Sequence, residues 1–403
     1  MNWNVLRSTP RAPALLAGTV LALSLSLAPA NAQKAEPCIA GSWELTGPLA
    51  HTGLAIKMGV EAAIDEINEK GGVLGQKLRL ITYDDQGEPS RAVDNARRIG
   101  ERDNCIIMIG GYRTPNALAI RTVLSEMGQP WMGVISAGTR VIEWESGKNE
   151  WMFRVSAKDR WVSPFLVDHA LQRSKTKKIG FMYEATGWGQ GALPDIEAAA
   201  KAKGVALVGK ETFNIGDQDM SAQLIRLRDA GADTLVFYTV DRETDAILRS
   251  MDRIGYKPTI VSAWGIGVQL GKTAGALTEG VLVHGTFAWT GKMNERTEKV
   301  WQRIKAKNNL QQPSELVLPS GTANAYDAIY IIAEAIKLAG AYDKTKVRDA
   351  FYKVNHEGII ANYKPAFEKT AERHDAILPT HYKLLAYHKG YLMAIEQTPY
   401  AIK

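Results

Sequence analysis

Residues 38–85, which decide the fold, read CIAGSWELTGPLAHTGLAIKMGVEAAIDEINEKGGVLGQKLRLITYDD. The apolar run 38–43 predicts a buried strand, and apolar residues at helical spacing over 52–70 predict an amphipathic helix. Two glycines end that helix, and residues 78–83 predict a second strand. A strand, a helix and a strand in this order are typical of a parallel sheet covered by helices.

The same alternation continues along most of the chain. Strands are predicted at 105–109, 131–135, 178–183, 205–212, 234–238 and 259–262, and helices at 89–102, 115–127, 189–203, 219–230 and 242–254. Because the pattern restarts at residue 178, the sequence predicts two α/β units. The last third has helices near 294–308, 321–339 and 346–354 but too few strands for its own sheet. We expect it to pack back onto both units, with the chain crossing between them several times.

The composition is that of an ordinary globular protein. With 45% apolar residues and a net charge of +6 over 403 residues, the chain is not expected to be disordered, and no regular glycine period indicates a fibrous protein. Basic residues outnumber acidic ones, but the two are interleaved, as in 61–70 and 295–307. This pattern argues against a nucleic-acid partner.

The N-terminal segment 1–32 is predicted to be a secretory signal peptide. Arg7 and Arg11 precede an apolar stretch at 14–28, and small residues precede a cleavage point after Ala32. The apolar stretch is short for a membrane span, although a retained anchor is the alternative. We therefore expect the mature protein to be exported to the periplasm.

The two cysteines, Cys38 and Cys105, are predicted to form a disulfide. Export places them in an oxidising compartment, and each opens an apolar run that predicts a strand. If these strands are parallel neighbours, both sulfur atoms lie at the same level of the sheet. Two unpaired buried thiols are the alternative.

Loops at the carboxyl ends of the predicted strands are the first places to search for a site, because open parallel sheets bind ligands there. In the first unit these loops are 46–53, 110–116 and 136–139, and in the second unit 184–191, 239–242 and 263–265. They carry hydroxyl groups, glycines and aromatic side chains. Two such sets of loops facing each other predict a cleft for a small polar molecule.

An ordered set of motifs carries a family resemblance from about Cys38 to the C-terminus. The set consists of residues 46–48, 62–75 with 78–85, 219–225 and 279–282. On these motifs the sequence resembles the periplasmic solute-binding proteins of ABC transporters, in the leucine/isoleucine/valine-binding family with the type I fold. The resemblance implies an α/β protein with two lobes, each a mostly parallel sheet flanked by helices, joined by three hinge crossovers.

The resemblance also implies lobe boundaries and partners. The first lobe would comprise residues 33–156 and about 285–358, and the second lobe residues 157–284 and about 359–403. A monomer would trap a small-molecule ligand by hinge closure and deliver it to an inner-membrane ABC permease. The alternative is a periplasmic sensor of amides or small acids that acts on a receptor rather than a permease.

In that family the first lobe holds the carboxylate group of the ligand, and the matching positions here are Thr114, Ser136, Ala137, Gly138 and Thr139. Fixed hydroxyl and amide donors make charge-assisted hydrogen bonds to an anion without a buried counter-charge. The alternative role of Thr114 is to cap the helix that follows, and residues 136–139 form an ordinary loop if they bind nothing. Arg113 adds a positive charge if it faces the cleft, and Tyr112 precedes it in the same loop.

The second lobe departs from the family pattern, because Trp264 stands where an acidic residue would bind the ammonium group of an amino acid. Asp241 is the nearest substitute, and its alternative role is to cap the following helix. Trp188 matches an aromatic residue that closes over the ligand, unless both tryptophans only pack in the core. His51 and Thr52 match the loop that touches the ligand side chain. The tryptophans favour a flat or apolar ligand, so an aromatic or aliphatic acid competes with branched-chain amino acids.

Enzymatic motifs are absent from the sequence. It contains no GxSxG elbow, no phosphate-binding P-loop and no HExxH, and its seven histidines have no metal-ligand spacing. We therefore expect no catalytic activity, no cofactor and no metal site.

Overall fold

A computed structural model describes residues 36–143, 149–205, 207–370 and 372–402, so the predicted signal peptide, 1–32, lies outside the described residues. The first sheet has five parallel strands in the order β2-β1-β3-β4-β5. Their bounds are β1 Cys38–Trp43, β2 Arg79–Asp84, β3 Ile107–Gly110, β4 Trp131–Gly133 and β5 Met152–Arg154. Strand β5 was not predicted from the sequence, because a strand of three buried residues is too short to show a hydrophobic periodicity.

The second sheet has seven strands in the order β14-β13-β10-β9-β8-β6-β7. Their bounds are β6 Ile179–Glu184, β7 Leu207–Phe213, β8 Thr234–Tyr238, β9 Thr259–Ser262, β10 Leu282–Gly285, β13 Lys383–His388 and β14 Tyr391–Ala394. The pairs among β6 to β10 are parallel, and β13 and β14 add an antiparallel edge. A separate short hairpin joins β11 His356–Glu357 to β12 Asn362–Tyr363.

Helices flank the two sheets and confirm the predicted α/β class with two lobes. Their bounds are α1 Ala50–Glu69, α2 Pro89–Arg97, α3 Thr114–Glu126, α4 Thr139–Ile142, α5 Asp159–Arg173, α6 Gly187–Ala202, α7 Ser221–Asp229, α8 Asp241–Arg253, α9 Val268–Ala274, α10 Glu295–Asn308, α11 Pro319–Ala339 and α12 Lys344–Ala350. Among the described residues, no helix combines the length and apolar character that a membrane crossing needs.

Helices α1 and α11 pack together on the first lobe, although they come from opposite ends of the chain. Ile56 and Val60 of α1 and Ile329 of α11 are fully buried. Gly59 lies where α1 and α11 are in close contact, because a Cβ atom at this position would lie 2.1 Å from Thr322 O. Helix α11, from the last third of the chain, therefore forms part of the core of the first lobe together with α1.

Three crossovers join the lobes: after β5, after β10 and before β13. The last one begins later than the expected boundary at about 358. Arg154 N donates to His374 O and Ala376 N donates to Arg154 O, each at 2.8 Å, so the chain still pairs with β5 there. Phe367 also packs on Phe153, with ring centroids 5.1 Å apart. Residues 359–370 and 372–376 therefore stay with the first sheet, because most of their apolar side chains are buried there.

A buried ion cluster connects the first crossover to the third. Arg154 Nε donates to Asp375 Oδ1 at 2.6 Å, and Lys158 Nζ lies 2.9 Å from Asp375 Oδ2. All three side chains are fully buried. Lys158 Nζ also donates to Glu143 Oε1 at 2.9 Å. Burial of these charges is tolerated because each one faces an opposite charge at hydrogen-bond distance. We call Arg154, Lys158 and Asp375 the hinge cluster.

Cys38 and Cys105 form the predicted disulfide, with Cα atoms 4.8 Å apart. Strands β1 and β3 are parallel neighbours, and Ile106 N donates to Cys38 O at 2.9 Å. The two sulfur atoms therefore lie at one level of the sheet. The bond links β1 to the segment that leads into β3, the central strand of the first sheet.

Reduction of this disulfide should lower the free energy of unfolding by about 4 kcal/mol, because the bond restricts the unfolded chain over a separation of 67 residues. Urea unfolding with and without a reductant measures the effect. The double variant Cys38→Ala/Cys105→Ala is the control, since its midpoint should match that of the reduced protein and should not respond to reductant. An unchanged wild-type midpoint on reduction would contradict the prediction.

Candidate functional site

The carboxyl ends of the strands in the two sheets face each other across a cleft. A pocket that is partly open to solvent lies in this cleft, and the space within it, open solvent included, is about 340 Å³. The end of β6 and the segments that follow β3, β4, β6, β8 and β9 supply its lining, which consists of Tyr112, Arg113, Thr114, Pro115, Ile135, Ala137, Glu184, Trp188, Val240, Trp264 and Gly265. Both lobes therefore contribute to this one cavity.

The structure divides the residues predicted from the sequence into two groups. Those that line the cavity are Tyr112, Arg113, Thr114, Ala137, Trp188 and Trp264. Those that do not line it are His51, Thr52, Ser136, Gly138, Thr139 and Asp241. The second group supports the cavity or joins the lobes around it.

Arg113 brings an unpaired positive charge to the cavity. Its side chain is half-buried, and it makes no hydrogen bond or ion pair with any residue that the structure describes. The neighbouring Ala137 N–H is likewise without a hydrogen-bond acceptor in the described part of the chain. A cation and an amide donor are thus both available to an anion on the first-lobe side.

The Thr114 hydroxyl lies beside these two donors. It accepts a hydrogen bond from Gly138 N at 3.2 Å, which leaves its own proton free to donate. Helix α3 begins at Thr114 itself, and the residue before it makes no side-chain cap, so the alternative capping role is not seen. Gly138 is needed at this contact, because a Cβ atom there would lie 2.4 Å from Thr114 Cγ2.

The loop 136–138 is held in place by its carbonyl groups. Arg154 Nη1 of the hinge cluster donates to Ser136 O at 2.8 Å and to Gly138 O at 3.0 Å. Asp159 N donates to Ala137 O at 2.9 Å. The Ser136 hydroxyl is buried and has no partner among the described residues. The hinge and the anion-binding side of the cavity are therefore parts of one hydrogen-bonded unit.

Thr139 joins the two lobes beside the cavity. Its hydroxyl donates to Asp195 Oδ2 of α6 at 2.6 Å and accepts from Arg160 N at 2.9 Å. Arg160 also pairs with Glu143 and lies 3.6 Å from Asp195 Oδ1. This hydroxyl is fully used by protein partners, so it contributes to closure rather than to the cavity lining.

His51 and Asp241 join the lobes at a second point. His51 Nε2 lies 3.0 Å from Asp241 Oδ2, and Asp241 Oδ1 accepts from Gly267 N at 2.7 Å. Both oxygens of this carboxylate are therefore occupied, and its bond to Gly267 replaces the alternative helix-capping role. Thr52 is buried within α1, where its hydroxyl donates to Leu49 O at 2.6 Å.

Trp188 and Trp264 form aromatic walls of the second lobe. Trp188 packs against Tyr238 with ring centroids 5.3 Å apart, and Trp264 packs against His284 at 5.4 Å. Gly265 follows Trp264 and lies against the Trp188 ring. A side chain at this position would not fit, because a Cβ atom there would lie 2.8 Å from Trp188 Cη2. Each indole thus has an aromatic packing partner and also lines the cavity, so packing does not exclude the predicted contact with a ligand.

Glu184 is a cavity-lining residue that the sequence analysis did not select. The side chain is 1% exposed, and Oε1 accepts a hydrogen bond from the Thr186 hydroxyl. Oε2 is buried without a partner within the described ranges. Burial raises the pKa of this carboxyl, while the charge of Arg113 opposes the rise. Glu184 could have been identified from the sequence, because it lies at the end of β6 and opens the segment 184–191 that was expected to face the cleft.

This geometry, two α/β lobes with a small cavity between them that carries a few polar groups, is the arrangement of a solute-binding protein. The profile of the family described as "Periplasmic binding protein" matches residues 38–381. The chain belongs to this periplasmic family, whose members bind solutes and are not enzymes. The described residues hold no group of three or more His, Cys, Asp or Glu side chains placed to bind one metal ion.

Relatives and a solved structure cover most of the chain. It is 28% identical over 339 residues to "Leu/Ile/Val-binding protein homolog 3" of Brucella melitensis, which covers 84% of this chain and 88% of the relative. It is 27% identical to the "Leucine-, isoleucine-, valine-, threonine-, and alanine-binding protein" of Pseudomonas aeruginosa, with coverage of 77% and 81%. The "Periplasmic binding Protein Type 1" structure from Bordetella pertussis has a TM-score of 0.80 and 25% identity, with coverage of 89% and 100%.

Asp159, directly behind the loop 136–138, should make stability depend on pH. Burial raises its pKa to about 8, although the positive charge of Arg154 and the Trp188 indole oppose the rise, and nearby Asp195 adds to it. The folded protein therefore keeps a proton that the unfolded chain releases near pH ~4, so stability is lost as the pH rises from there to about 8.

The variant Asp159→Asn should remove this part of the pH dependence. Urea unfolding of wild type and variant at pH 5 and pH 9 measures it. We expect the difference in free energy of unfolding to shift in favour of the variant at the higher pH. Parallel curves for the two proteins across this range would show that Asp159 titrates normally in the folded state.

Proposed function

We propose that this protein captures a small carboxylate-bearing solute between its lobes and delivers it to an inner-membrane ABC permease. The observation that carries the proposal is the unpaired guanidinium of Arg113 beside two free donors, the Thr114 hydroxyl and the Ala137 amide. A carboxylate has two acceptor oxygens and a negative charge, so it matches this set. The names of the relatives, which bind leucine, isoleucine and valine, agree with a carboxylate ligand.

The first-lobe side of the cavity attracts anions for a second reason. Helix α3 begins at Thr114, which lines the cavity, so the positive end of the helix dipole lies at the cavity. Among the residues of the first lobe that line the cavity, none is acidic. The charge of Arg113 and the dipole of α3 therefore act in the same direction.

Capture by closure rests on the contacts between the lobes. His51 meets Asp241, Thr139 meets Asp195, and the Tyr112 hydroxyl donates to Gly265 O at 3.4 Å. These bonds connect elements of different lobes, so they form together only when the cleft is closed. A ligand that touches both lobes binds the closed form better and shifts the population toward it.

The place of action is the periplasm. The basic and apolar N-terminal 32 residues, the Cys38–Cys105 disulfide and membership in a periplasmic family support export with signal-peptide removal. The protein would act there as a monomer, since one chain supplies both walls of the cavity.

A ligand screen of the mature protein tests the proposal. Thermal-shift and tryptophan-fluorescence assays are run with branched-chain amino acids, their deaminated acids, aromatic acids and short amides. Trp188 and Trp264 line the cavity, so their emission should change on closure. Stabilisation by compounds with a carboxylate and not by amides is expected. A response to amides alone, or to none of these compounds, would contradict the carboxylate proposal and favour a sensor of other solutes.

Arg113→Gln should weaken the binding of every carboxylate ligand found in the screen by about 10- to 100-fold, because it removes a charge-assisted hydrogen bond and the cation. Thr114→Ala should weaken the free energy of binding of the same ligands by about 1 to 3 kcal/mol, because a donor to a charged group is lost. Isothermal titration calorimetry measures the affinities of both variants. Arg228→Gln on α7, outside the cavity lining, removes the same charge and should leave affinity unchanged. Equal affinities for Arg113→Gln and wild type would refute this assignment.

A further inference from the structure

His51 and Asp241 meet between the lobes, outside the cavity lining. His51 lies in the first turn of α1 on the first lobe, and Asp241 begins α8 on the second. His51 Nε2 lies 3.0 Å from Asp241 Oδ2. The side chain of His51 is 22% exposed, whereas that of Asp241 is 5% exposed. Protons from solvent can therefore reach the imidazole ring, while the carboxylate is almost completely buried.

The buried carboxylate of Asp241 has one source of positive charge in the described part of the chain. His51 is the only basic side chain there within ion-pair distance of it. The other carboxylate oxygen, Oδ1, accepts a hydrogen bond from Gly267 N at 2.7 Å. Neutral His51 offers the carboxylate a hydrogen bond, whereas His51 protonated on both ring nitrogens adds a full charge to that bond. A buried carboxylate that faces a cation costs less free energy than one that does not.

We propose that this pair is a pH-sensitive latch, in which proton uptake by His51 stabilises the closed arrangement of the lobes. The inference rests on the closure mechanism of the proposed function, but not on the identity of the solute. Closure brings the imidazole to the carboxylate, and opening separates them. The protonated ring thus meets Asp241 in the closed form alone, so lowering the pH favours closure. Imidazole groups change charge between about pH 5 and pH 8, so the latch weakens as the pH rises through this range.

The latch changes the affinity for a solute without touching the solute. Neither His51 nor Asp241 lines the cavity, so their charge state alters the population of the closed form and not the groups in the cavity wall. A captured solute is therefore held more tightly at lower pH and released more readily at higher pH.

Glu44 is an acid that acts on His51 from its own lobe. Burial raises the pKa of the Glu44 carboxyl, while the bond from Leu49 N and the charges of Arg113 and His51 oppose the rise. When ionised, Glu44 acts on the imidazole ring in the same direction as Asp241 does. Because Glu44 and His51 belong to one lobe, opening of the cleft does not separate them. Asp241 is therefore the charge that couples His51 to closure.

Other titratable groups lie near the contacts between the lobes. Burial raises the pKa of the phenols of Tyr112 and Tyr387, and the charge of Asp241 adds to the rise, so both stay neutral in this range. Burial also raises the pKa of Asp195 and of the neighbouring Asp159, which lie at another contact between the lobes. These two acids also take up protons as the pH falls, so their effect must be separated from that of His51.

The ratio of closed to open protein is measured at pH 5.5 and pH 8 by double electron–electron resonance, without a solute. Spin labels are attached to Glu88→Cys on the first lobe and Asn214→Cys on the second. Both positions are exposed and lie outside the cavity lining. The native cysteines are joined to each other, so they do not take up the label.

The variants His51→Gln and Asp241→Asn each remove the charge pair and keep a polar side chain of similar size. His388→Gln is the matched control, because His388 Nδ1 lies 2.8 Å from Glu279 Oε1 in a pair of the same kind within the second lobe. Thermal unfolding of each variant checks that it is folded.

The closed-to-open ratio of wild type should rise between pH 8 and pH 5.5 by about two- to fivefold more than the ratio of His51→Gln or Asp241→Asn. Asp159 and Asp195 are present in all of these proteins, so their contribution cancels in the comparison. His388→Gln should behave as wild type does.

Two results would overturn the latch while solute capture stands. One is a wild-type ratio that is equal at both pH values, which needs no variant to be folded. The other is a folded His51→Gln variant whose ratio rises as much as that of wild type. A ligand screen without a response, by contrast, would refute the carboxylate proposal and leave the result of this comparison unchanged.

Discussion

The fully buried ion pair between Arg154 and Asp375 is the interaction on which the rest of the structure depends. Arg154 ends the last strand of the first sheet, and Asp375 lies in the segment that returns the chain toward the second. Separating them would leave an uncompensated charge in the core, which is far more costly than the pair itself. Lys158, on the first crossover, binds the same carboxylate. Two crossovers are thus joined at one point.

The same arginine connects the hinge to the cavity. Its Nη1 atom holds the carbonyls of Ser136 and Gly138, and Gly138 in turn donates to the Thr114 hydroxyl. The donors proposed for the carboxylate are therefore already in position before a ligand binds. Less conformational entropy is then lost on binding. The second lobe brings the aromatic walls and Glu184 to this fixed half. Closure, on this view, moves one half of the site against a rigid other half.

The sequence predicted the fold, and six of the twelve candidate residues line the cavity, because both the fold and the position of these residues follow from strand order. Residues at the ends of parallel strands must face the cleft, and Thr114, Trp188 and Trp264 do. It could not predict that Asp241 would be taken by His51, 190 residues away, because pairing across lobes leaves no local pattern. The placement of residues 359–370 and 372–376 could not be predicted for the same reason, since burial and hydrogen bonds against β5 keep them on the first lobe.

The contacts that join the lobes across the cleft and the side chains that line the cavity are largely different residues. His51, Asp241, Thr139 and Asp195 join the lobes, and none of them lines the cavity. Tyr112 does both, through its bond to Gly265 O. The free energy of closure can therefore change without altering which solute fits. Conversely, a substitution at Trp264 would change the lining of the cavity while the joining contacts remain, so one arrangement of two lobes can serve chemically different solutes.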